Sequence, residues 1–341
     1  MKISYLFFVA LFLFSAFYSP KLFAGENIDE PVVLAYVTSR GSLPDPTYIT
    51  HINYAFGRVN NDFNGITINN ESRLMSITDL KKQKPSLKVL LSIGGWGSGR
   101  FSEMAADKTN RLAFAADCQR VVKEFNLDGI DMDWEYPSSS ASGISATPED
   151  IDNFTLLMRD IREAIGKDKL LTFASAANAK YVDFKAVNPY IDFVNIMTYD
   201  IAHPPYHQAG LYRSEFTRGQ SCEESVLLHV EAGIPIHKLT LGIPFYGHGC
   251  CGIDRDVVYK DIVTNPEFSI YTQKWDDIAK APYWVDAEGK FVLTYDDARS
   301  IAEKCKFIHE KGMLGAMYWQ YDQDDDNSTL RKAVYNGVMN K

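Results

Sequence analysis

Short apolar runs rich in β-branched and aromatic residues recur along the chain, and stretches with helical periodicity separate most of them. Strands that are apolar on both faces are typical of parallel sheets, and their alternation with helices indicates βα units. Eight such units predict a closed (β/α)8 barrel, the TIM barrel. An open doubly wound sheet usually has a glycine-rich phosphate loop after its first strand, whereas Arg40, Gly41 and Ser42 follow here. The predicted strands cover residues 32–39, 51–59, 88–94, 127–135, 170–176, 193–200, 238–246 and 314–321.

Helix signals fall between these strands. Thr109 is a candidate cap for a helix through residue 126, and Pro148 marks the first turn of a helix that stops at Gly166. Asp296 or Asp297 opens a helix that closes at Gly312, and a last helix covers residues 330–339. Residues of about 250–295 break the alternation, so we expect a small α+β insertion between strand seven and helix seven. Residues 287–290 are its predicted hairpin turn.

The first 24 residues have the pattern of a secretory signal peptide. Lys2 precedes an apolar run that ends near Phe17, and Ala24 offers a small residue at the cleavage point. The run is short for a membrane span, although an uncleaved anchor remains an alternative. We therefore expect an exported protein whose catalytic barrel occupies residues 25–341, without membrane association after the signal is removed.

The charge balance is acidic, with 35 basic against 44 acidic residues and a net charge of −9. This balance argues against nucleic acid or an anionic membrane surface as the partner. Aromatic residues make up 13% of the chain. Export, acidity and a high aromatic content favour an uncharged polar ligand such as a carbohydrate, and we expect a monomer.

Five cysteines are an odd number for an exported protein. Cys118 and Cys305 lie on apolar stripes of predicted helices and are expected to be small core residues. A disulfide from Cys222 to Cys250 or Cys251 is possible, with free thiols as the alternative. No cysteine or histidine spacing indicates zinc, and no metal or cofactor is expected.

The predicted fourth strand has three carboxylates on one face. In extended backbone, Asp131, Asp133 and Glu135 point to the same side, about 6.6 Å apart along the strand, while Met132 and Trp134 point to the other. Aspartate is a poor strand residue, so this pattern suggests a site that needs it. A solvated edge strand and a divalent-metal site are alternatives. Acid–base chemistry, in which a charged neighbour keeps one carboxyl protonated, is favoured.

Function in such a barrel lies at the carboxyl ends of the strands. Aromatic rings there can stack on the apolar faces of sugars, while carboxylates hold hydroxyl and amide groups. The candidates at these ends, besides the three carboxylates, are Tyr36, Phe56, Ser92, Gly94, Gly95, Trp96, Met197, Tyr199, Asp200, Tyr246 and Trp319. The acidic run 322–326 follows the last strand and is expected to be a solvated loop rather than a calcium site.

These motifs resemble glycoside hydrolase family 18, the chitinase family, over essentially all of residues 25–341. The family's Asp-x-x-Asp-x-Asp-x-Glu signature falls on residues 128–135, and its Ser-x-Gly-Gly on residues 92–95. Its Met-x-Tyr-Asp matches residues 197–200, and its last-strand tryptophan matches Trp319. The resemblance implies a retaining enzyme that cleaves β-1,4 linkages between N-acetylglucosamine units of chitin or chitooligosaccharides.

The resemblance also implies a division of roles. Glu135 protonates the glycosidic oxygen, and the 2-acetamido oxygen of the substrate is the nucleophile. Asp133 holds the acetamido N–H and stabilises the charge on the resulting oxazolinium ion, Asp131 supports Asp133 by sharing a proton, and Tyr199 orients the acetamido group. Trp319 forms the floor under the reacting sugar. The residues that line the remaining subsites are Tyr36, Phe56, Trp96, Met197, Asp200 and Tyr246.

The chain departs from the family pattern at His248, where many members have an arginine two residues after the tyrosine. The short insertion predicts a low cleft wall, and no separate chitin-binding module is expected. Soluble or amorphous chitin is therefore the expected substrate rather than crystalline chitin. The alternative activities are an endo-β-N-acetylglucosaminidase that acts on N-glycans and a non-catalytic chitin-binding lectin of the same fold.

Overall fold

A computed structural model of the protein describes residues 30–340. The strands of this part of the chain are β1 Val32–Thr38, β2 His51–Val59, β3 Ile66–Ile68, β4 Lys88–Gly94, β5 Gly129–Asp133, β6 Leu170–Ala176, β7 Phe193–Met197, β8 Leu239–Pro244, β9 Tyr246–Gly249, β10 Asp256–Val258, β11 Thr272–Asp276, β12 Ala281–Val285, β13 Phe291–Thr294 and β14 Gly315–Trp319. The helices are α1 Glu71–Thr78, α2 Phe101–Ala106, α3 Lys108–Glu124, α4 Asp150–Ile165, α5 Phe184–Val187, α6 Cys222–Ala232, α7 Tyr259–Thr264, α8 Ala298–Lys311 and α9 Thr329–Met339.

The eight predicted strands form one parallel barrel. They follow the order β1, β2, β4, β5, β6, β7, β8 and β14, and β1 closes the ring by pairing with both β2 and β14. The side chains of these strands are mostly buried and mostly apolar, because helices cover the outer face and other strands face the interior. The predicted (β/α)8 barrel is therefore confirmed.

A second sheet interrupts the pattern between β8 and α8. Its five antiparallel strands have the order β10, β9, β13, β12 and β11, and α7 lies within it. The parallel ladder ends at Pro244, and the second sheet begins at Tyr246, two residues later. The predicted α+β insertion is confirmed, and its sheet starts earlier in the chain than residue 250.

The register between β4, β5 and β6 places polar side chains next to Asp131. Ser92 of β4 is the partner of Asp131 of β5, and Thr172 of β6 is the partner of Asp131 on the other side. Gly94 has φ +133°, and a Cβ at this position would meet the Asp133 carbonyl oxygen at 1.9 Å. Only glycine permits this approach of β4 to β5, so the glycine positions the carboxylate strand.

Several local predictions need correction. The helix that was expected to be capped by Thr109 starts at Lys108, because the Asp107 carboxylate accepts from the Asn110 N–H. The acidic run 322–326 is not a solvated loop: Asp324 and Asp325 are buried, and they accept hydrogen bonds from the first turn of α9 and from Arg331.

Of the two possibilities for Cys222, the free thiol is the one observed. Its thiol is buried and donates to the carbonyl oxygens of Thr198 and Ala209, and all five cysteines are free thiols. Cys118 and Cys305 are buried core residues, as expected.

The predicted signal peptide lies outside the described residues. Within residues 30–340, no helix is both long and apolar enough to span a membrane.

Candidate active site

Asp131 lies at the centre of the barrel and is fully buried. Its Oδ2 accepts from the Tyr36 hydroxyl at 2.9 Å and from Ser92 at 2.8 Å. Its Oδ1 accepts from Thr172 at 2.5 Å and from Asn195 at 3.1 Å. Burial raises the pKa of Asp131, and the four hydrogen bonds oppose that rise. Four donors fill the acceptor sites of one carboxylate, which is the pattern that a buried anion requires.

Asp133 ends β5 next to this centre and has the opposite surroundings. It is buried, and its Oδ1 has no hydrogen-bond partner among the described residues. Burial, followed by the charges of Glu135 and Asp131, holds the pKa of Asp133 well above its usual value, against the opposing charge of Arg58. Because the donors around Asp131 are already in place, Asp133 is the member of the pair suited to carry a proton.

Glu135 lies just beyond the end of β5 and reaches the cleft surface. Burial raises the pKa of Glu135 to about 7, the charge of Asp200 adds to the rise, and the hydrogen bond from the Tyr136 hydroxyl opposes it. A carboxyl group with such a pKa is a competent proton donor near neutral pH. Asp128, the first carboxylate of the motif, lies at the other end of β5 and pairs with Lys81 at 2.9 Å. Asp128 therefore stabilises the start of the strand and does not line the cleft.

Tyr199 follows β7 and is nearly buried beside the three carboxylates. Burial, with Asp133 the strongest of the nearby charges, raises the pKa of Tyr199 well above its usual value. The only contact recorded for its hydroxyl within residues 30–340 is the Met317 sulfur at 3.8 Å, a weak acceptor. The hydroxyl is therefore a neutral donor with capacity to bind a ligand.

Asp200 and Tyr246 form the wall of the cleft next to Tyr199. The Tyr246 hydroxyl donates to Asp200 Oδ1 at 2.6 Å, and His248 Nε2 lies 2.8 Å from the same oxygen. Burial tends to raise the pKa of Asp200, but the hydrogen bonds from His248 and Tyr246 outweigh it, and the net direction is downward. Asp200 is thus an anion in the cleft wall.

The aromatic candidates divide into two groups. Trp96 is 62% exposed, and both Trp96 and Trp319 line the cleft. Phe56 stacks behind Trp319 with ring centres 5.6 Å apart. Tyr36 is 1% exposed beneath Trp319, so its expected contact with a ligand is replaced by its hydrogen bond to Asp131.

These groups surround an open cavity of about 890 Å³ at the carboxyl ends of the strands. Most of the predicted site residues line it, and Asp131, Asp133, Tyr36 and Phe56 lie behind its surface. The predicted residues on its surface are Trp96, Glu135, Met197, Tyr199, Asp200, Tyr246 and Trp319. Within the described part of the chain, no cluster of three or more histidine, cysteine or acidic side chains is arranged to hold a metal.

Several further residues at the site were not predicted from the sequence. Thr172 and Asn195 bond to Asp131, and each is a polar residue inside an apolar strand, which is a signal that the sequence does contain. Tyr136 follows Glu135 directly in the sequence. Three further lining residues, His203, Arg255 and Asp256, come from loops and from the insertion. Their approach to the cleft depends on tertiary folding and has no local sequence signal.

Comparison with known proteins agrees with this geometry. A family profile described as "Glycosyl hydrolases family 18" matches residues 32–324. Chitinase A1 of Niallia circulans is 32% identical to the chain over 85% of its residues and 55% of the relative's own length. Probable chitinase 2 of Drosophila melanogaster is 30% identical over 82% of the chain and 67% of that protein. The chain therefore spans about half to two thirds of these curated relatives.

Solved structures show the same architecture. A family 18 N-acetylglucosaminidase from Paenibacillus barengoltzii superposes with a TM-score of 0.81 and is 34% identical. The match covers 90% of this chain and 100% of that one.

Proposed function

The chain belongs to glycoside hydrolase family 18, and we propose that it hydrolyses β-1,4 linkages between N-acetylglucosamine units of chitin or chitooligosaccharides, with retention of configuration. The relatives named as chitinases support the substrate class. The observation that carries the proposal is the buried Asp133 Oδ1, which has no partner among the described residues, together with the weakly bonded Tyr199 hydroxyl, whose pKa is raised by burial and then by the nearby charge of Asp133. An acceptor and a donor without strong partners fit the N–H and carbonyl of a 2-acetamido group.

The proposed mechanism assigns each group a chemical task. Glu135 donates its proton to the glycosidic oxygen, while the acetamido oxygen attacks the anomeric carbon and forms an oxazolinium ion. Asp133 binds the acetamido N–H and stabilises the positive charge of that ion. Tyr199 donates to the acetamido oxygen and orients it. Water then attacks with Glu135 as the base, and β configuration is restored.

Asp131 contributes by staying fixed. Its four donors stabilise it as an anion, so its negative charge favours a proton on Asp133. That proton stays on Asp133, whose other carboxyl oxygen accepts from the acetamido N–H. This arrangement stabilises charge in the transition state through groups that are already oriented. Met197, Trp96, Trp319, Asp200 and Tyr246 supply contacts to neighbouring sugars, with Phe56 and Tyr36 supporting Trp319 from behind.

Two measurements test this assignment. Fluorogenic chitooligosaccharides are expected to be cleaved, with β anomers as the first products by NMR. Release of glycans from a glycoprotein without cleavage of chitooligosaccharides would instead favour the N-glycan activity. Initial α anomers would exclude the retaining mechanism.

A Glu135→Gln variant separates catalysis from binding. We expect turnover to fall on the order of 10²–10⁴-fold, because the proton donor is lost, while oligosaccharide affinity persists. Glu103→Gln, an exposed carboxylate on α2, is the matched control and should retain full activity. Substantial turnover by Glu135→Gln would refute its role as the acid, and binding without turnover in the unmodified protein would indicate a lectin.

Similarity to one solved structure supports an alternative pattern of reaction products. The family 18 N-acetylglucosaminidase is matched over its whole length, so release of single N-acetylglucosamine units is the alternative to internal cleavage. Chromatography of early products from chitohexaose distinguishes the two, since internal cleavage yields intermediate oligomers first.

We further infer that the protein is exported, because residues 1–24 have a signal pattern, and that it acts as a monomer. N-terminal sequencing of protein recovered outside the cytoplasm tests the cleavage site after Ala24, and light scattering tests the monomer.

A further inference from the structure

His248 of β9 lies between two carboxylates at the edge of the cleft. Its Nε2 is 2.8 Å from Asp200 Oδ1, and its Nδ1 is 2.8 Å from Asp256 Oδ1. Nδ1 is also 3.3 Å from the Arg255 carbonyl oxygen. The arrangement is set by the insertion sheet, in which His248 and Asp256 are direct partners on β9 and β10. The ring is 3% exposed, whereas the side chains of Asp200 and Asp256 remain 57% and 65% exposed, so water reaches the carboxylates but not the ring.

Every atom that faces the two ring nitrogens is an acceptor. A neutral imidazole has one N–H and one lone pair, so either tautomer would point a lone pair at a carboxylate oxygen 2.8 Å away. Only the imidazolium form donates through both nitrogens. The contacts of this residue therefore specify a cation.

A second histidine, His203, packs against His248, and its contacts indicate that it is the neutral ring of the two. Its ring centre is 4.2 Å from that of His248, and Arg255 Nη2 lies 3.3 Å from His203 Nε2. A guanidinium has only donors, so His203 Nε2 must accept and the ring is neutral. Burial first, and then the charges of His248 and Arg255, lower the pKa of His203, which agrees with this geometry.

The ionisable residues around His248 come from several elements, and none of them places a cation at either ring nitrogen. Asp200 and His203 come from the segment after β7, Tyr246 from β9 itself, and Arg255 and Asp256 from the β10 side. On its other side His248 pairs with Thr294 of β13, which is uncharged. Glu135 is the next titratable group beyond Asp200, and the Asp200 charge raises the pKa of Glu135.

We propose that His248 is an imidazolium ion clamped between Asp200 and Asp256, and that it is a positioning residue that holds the Asp200 carboxylate in the cleft wall. Through Asp200 it fixes a substrate contact and the electrostatic surroundings of Glu135. A neutral ring has one N–H for two carboxylates, so loss of a proton breaks the clamp at Asp200 or at Asp256. Efficient turnover therefore requires the imidazolium. This inference rests on the proposed function for its kinetic consequence, but the charge of His248 does not depend on that function.

The charge state is tested first by NMR of the whole protein labelled with ¹⁵N-histidine. Signals of His248, assigned by their loss in His248→Gln, are expected at positions of protonated nitrogens for both ring atoms at pH 7. In Asp256→Asn we expect the signature of a neutral ring, because one of the two anions is gone. A neutral tautomer of His248 in the unmodified protein would overturn the proposal, whether or not the protein cleaves chitin.

Kinetics then test the positioning role. His248→Gln keeps an amide donor but no charge, and kcat/KM is expected to fall on the order of tenfold to a hundredfold. His248→Arg keeps a permanent cation and is expected to recover most of that loss. The alkaline limb of kcat/KM should differ between the unmodified enzyme and His248→Arg, since the arginine keeps its charge.

Several outcomes would contradict the positioning role while leaving the proposed function intact. If His248→Arg is as impaired as His248→Gln while both unfold at the temperature of the unmodified protein, charge is not what matters. If the alkaline limb of the kcat/KM profile is the same in the unmodified enzyme and in His248→Arg, the charge of His248 likewise does not matter for turnover. If His248→Gln does not fold, Asp256→Asn replaces it and is expected to show the same loss in kcat/KM; unchanged kcat/KM in that variant would refute the clamp.

Discussion

Glu135 and Asp200 both line the cleft, and the charge of Asp200 acts on Glu135. In the proposed mechanism Glu135 must carry its proton to act as the acid, and burial raises its pKa to about 7. Its acid form is therefore present below about pH 7, and we expect kcat/KM to fall as the pH rises through that value. In Asp200→Asn the nearby negative charge is absent, so the alkaline limb should move to lower pH even if kcat/KM is reduced. A limb that stays in place, measured on a soluble oligosaccharide, would refute the coupling.

The five cysteine thiols differ in exposure and in the direction of their pKa shifts, so their rates of chemical labelling should differ. Cys251 is exposed, and the hydrogen bond from the Cys250 thiol, followed by that from Lys290 at 2.9 Å, lowers its pKa. Burial raises the pKa of Cys118, Cys222 and Cys305. Because the thiolate is the nucleophile, iodoacetamide should modify Cys251 first in the reduced, folded protein at neutral pH.

Mass spectrometry of the labelled peptides checks this order. Lys290→Gln is the matched variant and should slow labelling of Cys251 without changing the other cysteines. Equal rates at Cys251 and Cys118 in the folded protein would contradict the assignment.

At the scale of single elements, β4 is held against β5 by a glycine. Gly94→Ala would place a methyl group 1.9 Å from the Asp133 carbonyl oxygen, at a φ of +133°. We expect a loss of unfolding free energy on the order of 3 kcal/mol or more and reduced turnover, because the strand that carries Asp133 must move. Urea unfolding followed by circular dichroism measures the first, and oligosaccharide hydrolysis the second.

Gly143→Ala provides the control for backbone strain alone. Gly143 has a φ of +78°, and a Cβ there would meet nothing within 4 Å. We expect a cost of about 1–2 kcal/mol from the left-handed backbone. If the two variants are equally stable, the close approach of β4 and β5 is not what requires glycine at residue 94.

The sequence predicts the eight barrel strands and the four helices α3, α4, α8 and α9, with less accurate ends, whereas the other described helices were not predicted individually. The apolar run 127–135 predicts a strand, but the ladder with β4 and β6 covers only Gly129–Asp133, so Glu135 lies past the strand. Asp297 and Gly312 cap α8 as predicted, since cap chemistry is local. The burial of Asp324 and Asp325 depends on Arg331 and α9 folding back, which no local pattern contains.

At the scale of the whole molecule, the barrel and the insertion share one hydrophobic core. Val257, Ile262 and Leu293 of the insertion belong to the same cluster of contacts as Ile243 and Met317 of the barrel. We therefore expect both parts to unfold in one cooperative transition. Two tryptophans, Trp275 and Trp284, report on the insertion, and Trp134 reports on the barrel core.

Urea unfolding followed by tryptophan fluorescence and far-ultraviolet circular dichroism tests this expectation. The two curves should coincide, both in the unmodified protein and in the variant Trp275→Phe/Trp284→Phe, in which the barrel dominates the fluorescence. An earlier fluorescence transition that disappears in the double variant would mean that the insertion unfolds separately.

The pairing of β1 with β14 has a consequence for biosynthesis. The strand that starts at Val32 finds its second neighbour only when Gly315–Trp319 has been made, so the ring closes across almost the full length of the chain. Trp319, which lines the cleft, lies at the end of that same final strand. Such a long-range contact is slow to form, and a nascent polypeptide on the ribosome lacks both the closed ring and this tryptophan. Translation itself thus delays the appearance of the site until the last strand has been synthesised.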